Sequence, residues 1–128
     1  MKNALITCCV LPLLLTSAAR AGVNGVYKVS GTETNFGDKL TFSGTVTISK
    51  YKTVKYSLKY SDGDSGTFSF PFNKLLKDNS TTQTVTFSSG EGTGSATFKK
   101  INGLYKLQFN YKAKGEPISA SGSGSKKL

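Results

Sequence analysis

The sequence predicts an all-β chain: a single antiparallel meander of about eight strands closing into a small barrel, with a two-sheet β-sandwich as the alternative. Three observations predict it. Apolar and polar residues alternate with a period of two through most of residues 25–121. The gaps between alternating runs are short and rich in Gly, Asn, Asp and Ser. Only one segment, Asn73 to Ser80, breaks the pattern, as a single helical turn or a long loop.

The first residues are of another kind. Met1-Lys2-Asn3 is a short positive start, an apolar run follows from Ala4 to about Leu15, and Ala19-Arg20-Ala21 forms an A-x-A exit. That order reads as a secretory signal peptide over residues 1–21, which implies export to the periplasm or the medium. Pro12 interrupts the run, and the run is shorter than the roughly 20 residues a spanning helix needs, so an uncleaved anchor is the weaker reading. Cys8 and Cys9 lie near its start, so no cysteine would head a lipoprotein.

Cleavage after Ala21 leaves 107 residues, one domain with a modest core. Both cysteines leave with the signal, so the core holds without disulfides. The expected division is 22–121 as the β domain and 122–128 as a flexible basic tail, "GSGSKKL".

The strands follow in order. Eight are expected, at about 25–34, 39–50, 53–61, 66–72, 81–88, 93–100, 103–113 and 116–121. "LTFSGTVTIS" sets Leu40, Phe42, Val46 and Ile48 on one side and hydroxyls on the other. Val54, Tyr56, Leu58 and Tyr60 repeat the arrangement, as do Tyr105, Leu107, Phe109 and Tyr111. Such strands have one buried and one wet face, and Thr, Tyr and Phe suit them. "NFGD", "KYK", "SDGDSG", "SSGEG" and Asn102-Gly103 supply turns. Ile118 and Ala120 continue the alternation in a last edge strand. Short connections favour antiparallel neighbours, and closure removes exposed edges.

The composition closes several chemistries. Histidine is absent, so a Ser-His-Asp or Cys-His constellation cannot be built. With no cysteine or methionine after residue 21, zinc, copper and haem lose their usual ligands, and no metal or cofactor is expected. Gly90, Gly92 and Gly94 lie between strands and read as turn and close-packing residues, not as a phosphate loop. Asp62 and Asp64 are the one close acidic pair and read as a hairpin tip. The chain is expected not to be an enzyme.

Two binding surfaces remain. Aromatic residues fall mostly on the apolar face, and Tyr27, Tyr56, Tyr60, Tyr105 and Tyr111 are candidates for lining a barrel mouth, each offering a flat apolar surface and a hydroxyl. Removal of Lys2 and Arg20 leaves 15 lysines against seven acids, a balance of +8 without arginine. Lys55, Lys59, Lys106 and Lys112 sit on the wet faces of their strands and form the alternative surface, for an acidic protein or envelope polyanion. Export and the missing arginine argue against a specific nucleic-acid partner. An integral membrane protein is not expected.

Asn24-Gly25-Val26-Tyr27 opens the first strand. Its position and shape resemble the G-x-W opening of lipocalin-like and avidin-like barrels, with tyrosine in place of tryptophan. The chain departs from that pattern in having no tryptophan and no arginine to pack over it. The spacing of "GVYKVSGT" and "FSGTVTIS" is also similar to small secreted bacterial β proteins, some of them labelled fibronectin-binding. These resemblances imply an exported binding module for a small apolar or amphiphilic ligand and transfer no residue roles.

Overall fold

Eight antiparallel strands form one sheet in the computed structural model, which describes residues 22–78 and 80–127. The expected signal segment, 1–21, lies outside the described residues. The strands are β1 (Gly25–Asn35), β2 (Asp38–Ser49), β3 (Thr53–Tyr60), β4 (Ser65–Pro71), β5 (Thr82–Ser88), β6 (Gly92–Ile101), β7 (Leu104–Ala113) and β8 (Ile118–Lys127). Their order across the sheet is β4-β3-β2-β1-β8-β7-β6-β5. Six of the seven consecutive strand pairs of the meander are hydrogen-bonded hairpins, all but β4–β5, and the first strand pairs with the last, from Lys28 opposite Ser125 to Asn35 opposite Ile118. The sheet curls into a half-barrel whose seam falls in the middle of the chain, between β4 and β5. One backbone bridge, Phe72 with Phe87, spans that seam.

Alternation explains the curl. On β3, Val54, Tyr56 and Leu58 are buried while Thr53, Lys55, Ser57 and Lys59 are exposed. β7 buries Tyr105, Leu107 and Phe109 between exposed Lys106, Gln108 and Asn110. One face of each strand is therefore an interior, which a single sheet can cover only by bending round it. Tight turns join neighbours. Phe36 with Gly37, Lys50 with Tyr51, and Asn102 with Gly103 have positive φ at both central positions, the backbone that matches the right-handed twist of a hairpin.

The end of the chain corrects the sequence expectation. Residues 122–127 belong to β8, which lies between β1 and β7 in the middle of the sheet, not at its edge. The flexible tail expected over 122–128 is strand through Lys127, and Leu128 lies outside the described residues. Serine and glycine read as linker because nothing in them alternates in hydropathy. In the fold they alternate in size. A side chain on Gly122 would meet the Phe109 ring at 2.5 Å, and one on Gly124 would strike the Lys28 carbonyl and Val29. Glycine here lets backbones and rings approach closely.

Among the described residues, the segment after β4 forms no helix. It crosses one end of the half-barrel and closes it. Leu76 is buried there, and its N–H donates to the Tyr51 carbonyl at 2.8 Å. Asp78 gathers the rest. Its carboxylate accepts from the Val23 N–H at 2.8 Å and from the Tyr51 hydroxyl at 2.7 Å, and its carbonyl accepts from the Tyr105 hydroxyl at 2.5 Å. Lys126 donates to the Gly22 carbonyl at 2.6 Å beside them. The opposite end, where β1–β2, β3–β4, β5–β6 and β7–β8 turn, stays open.

Candidate functional site

Below the open end lies a chamber of about 80 Å³. Its walls are aromatic: Phe42 from β2, Tyr56 from β3, Phe70 from β4, Phe87 from β5, and Phe109 and Tyr111 from β7 contribute. All of these sit on the inward parity of their strands, so the alternation that builds the core also builds the chamber. The rings hold one another. Phe70 stacks on Phe87 with centroids 4.9 Å apart, Phe87 lies nearly parallel to Tyr111 at 6.4 Å, and Tyr56 meets Phe109 at 5.2 Å. Glycines make room for the rings, since a side chain on Gly94 would meet Phe87 and one on Gly92 would meet the Tyr111 hydroxyl.

One polar atom in this wall has no partner. The Tyr56 hydroxyl is buried and makes no hydrogen bond, although the residue is only 6% exposed. Burial alone pushes its ionisation well above the ordinary tyrosine value near 10, so it is a neutral donor and acceptor at any physiological pH. The closed end treats its phenols differently: Tyr27 donates to the Val23 carbonyl at 2.7 Å, and Tyr105 donates to Asp78. An unpaired buried hydroxyl costs about 1–3 kcal/mol, and a well-filled core leaves few of them.

The chamber opens into a wider vestibule of about 700 Å³. Glu33, Tyr60, Phe68, Glu91 and Tyr111 line both, and so form the neck between them. Glu33 accepts from the Tyr60 hydroxyl at 3.3 Å and from the Asn35 amide at 3.4 Å. Burial, and then the Glu33 carboxylate, push the Tyr60 phenol up to about 12. Burial raises Tyr111 as well, followed by the negative charges of Glu91, Glu116 and Glu33. Asp62, Asp64 and Glu116 line the vestibule with one lysine, Lys114. A protein of strongly positive net charge thus carries an acidic mouth. Among the described residues, no three acidic side chains converge as a metal site would require.

The tyrosines expected in a mouth divide. Tyr56, Tyr60 and Tyr111 come together at the chamber and its neck. Tyr27 and Tyr105 are fully buried at the closed end and belong to the plug. Their strand parity is the same, but parity does not say at which end of the barrel an inward residue lies. Lys55 and Lys59 on β3 are exposed, as are Lys106 and Lys112 on β7. Three strands separate β3 from β7, so the two pairs face different sides. Lys106 stands opposite Lys99, and Lys112 opposite Thr93. Asp62 and Asp64 form the tip expected of them, with the Asp64 N–H donating to the Asp62 carboxylate at 3.0 Å.

Sequence reasoning missed the acidic mouth, and it gave the seam rings their inward parity without bringing them together. The signal was available for the first. In a meander, alternate turns lie at one end, and Asp38, Asp62, Asp64, Glu91 and Glu116 all fall in or beside the first, third, fifth and seventh turns. No family model matches the chain, and no curated protein matches it. Among the described residues, no helix is long and apolar enough to cross a membrane.

Proposed function

We infer that the protein is an exported, non-catalytic binding module that holds a small apolar or amphiphilic molecule in the mouth of its half-barrel. The observation that carries this reading is the unpaired Tyr56 hydroxyl in the wall of an aromatic chamber. Tightly packed cores leave few such groups, and pockets for small molecules combine an apolar wall with a few polar atoms. The chamber is smaller than the roughly 150 Å³ cavity that accommodates benzene. It suits an alkyl end or a compact group, with the rest of the ligand in the vestibule.

The signal pattern of residues 1–21 supports export. The absence of histidine from the whole chain supports a non-catalytic role. Outward faces rich in serine, threonine and lysine support a water-facing exterior, where a spanning barrel would present an apolar band. The polyanion reading has less support, because its four lysines do not share a face.

Native mass spectrometry of the protein isolated from its own host tests the proposal. A retained small molecule, lost on unfolding, is the expected result. The bare chain mass, together with no calorimetric binding of hexanol or cyclohexanol, would overturn it.

A further inference from the structure

We propose that the ligand is a small organic cation, an alkylammonium whose chain enters the aromatic chamber and whose charged head rests at the Glu33–Glu91 neck. The proposal rests on the binding reading above and adds the ligand's charge. Three observations carry it. Glu33 and Glu91 come from opposite parts of the sequence, on β1 and the β5–β6 turn, yet both line the chamber as well as the vestibule. Aromatic residues Tyr60, Phe68 and Tyr111 share that neck, and ring faces attract ammonium groups that have lost part of their water. Tyr56 lines the chamber beneath them with its hydroxyl unpartnered and 6% of the residue exposed, so the cavity is prepared for a ligand rather than simply filled.

The surrounding charges agree in sign. Five carboxylates (Glu33, Asp62, Asp64, Glu91 and Glu116) line the two spaces, against Lys114. A divalent metal would need several of them to converge, and among the described residues none do so in threes. An organic ammonium fits dispersed carboxylates and ring faces better, because separate hydrogen bonds and ring contacts hold it and it needs no fixed oxygen shell. The charge of the whole protein points the other way, since a net positive molecule attracts anions at long range. Preference for a cation would therefore report the neck and not the global field.

Three probes of equal chain length separate the possibilities: hexylammonium, hexanol and hexanoate, each titrated calorimetrically into the protein at low salt. Hexylammonium is expected to bind at least tenfold more tightly than hexanol, and hexanoate most weakly. Glu33→Gln with Glu91→Gln should remove the preference for the ammonium and leave hexanol binding within about twofold, since glutamine keeps the size of each neck side chain and the six rings of the chamber are unchanged. Asp38→Asn, at the same end but outside the lining, should leave all three affinities unchanged. Thermal melts of each variant check that the fold survives. Equal binding of hexanol and hexylammonium would overturn the cation proposal and leave the binding module standing. An ammonium preference that persists in the double variant would overturn it too. Failure of all three probes would overturn both.

Discussion

Phe70 and Phe87 stack across the seam of the half-barrel, 4.9 Å between ring centroids and 23° between planes, where an isolated backbone bridge runs from Phe72, just past β4, to Phe87 on β5. Side chains therefore close the gap that hydrogen bonds do not. Edge strands are usually protected by charge, by proline or by a covering segment. Here Pro71 ends β4 and the rings cover the interior behind it.

Phe70→Ala should loosen this seam first. Phe70 is partly exposed, so the loss should be about 2 kcal/mol, below the roughly 3–5 kcal/mol of a fully buried Phe→Ala change. Amide exchange should quicken in β4 and β5 while β1 and β8, each paired on both sides, stay protected. Uniform loss of protection across the sheet would mean that the seam is not a separate unit. Ser57→Lys, on the wet face of β3, should change stability by no more than about 0.5 kcal/mol.

Asp78 holds the closed end through contacts with Val23, Tyr51 and Tyr105. Asp78→Ala removes both carboxylate bonds and should cost about 2–4 kcal/mol, below the sum of two charged hydrogen bonds at about 1.5–3 kcal/mol each, because Asp78 is only partly buried. Chamber affinity should change little, because the mouth lies at the other end. Urea melts and hexylammonium titration of the variant measure the two effects separately.

Alkaline pH should destabilise the fold. All six tyrosines have their ionisation raised, Tyr27, Tyr56, Tyr60, Tyr105 and Tyr111 chiefly by burial and Tyr51 chiefly by its bond to Asp78. The folded state keeps phenol protons that the unfolded chain has already lost. The stability they contribute is therefore complete below pH 10 and falls as pH rises from about 10 toward 12, where Tyr60 ionises in the folded protein. Phenolate absorbance should rise together with unfolding. Titration of most tyrosines near pH 10 with the fold intact would contradict their burial.

Much of the fold was legible in the sequence, and the reasons are local. Strand parity follows from side-chain alternation, and Asn102-Gly103 marks its hairpin by backbone chemistry. β8 was only partly legible, because "SGSGS" encodes its place by size and not by hydropathy. The candidate site needed the third dimension. Glu33 and Glu91 are 58 positions apart, and the neck exists only because β1 pairs with β8 and bends the sheet round.

The glycines of β8 give that point a direct check. Gly124→Ala pushes a methyl group into the Lys28 carbonyl and should cost roughly 1–3 kcal/mol. Gly90→Ala, in the β5–β6 turn, has nothing within 4 Å and should be neutral to within about 0.5 kcal/mol. Comparable melts for Gly124→Ala and the parent would mean that residues 122–127 are the flexible tail their composition suggests.

The chamber itself is tested most directly by aromatic side-chain NMR with hexanol titrated to saturation. Resonances of Phe42, Tyr56, Phe70, Phe87, Phe109 and Tyr111 should shift together along one binding curve. Tyr27 and Tyr105, fixed at the closed end, should stay in place. Shifts confined to the lysine-bearing outer faces, or no saturable shift at any of the six chamber rings, would contradict a binding site in the mouth.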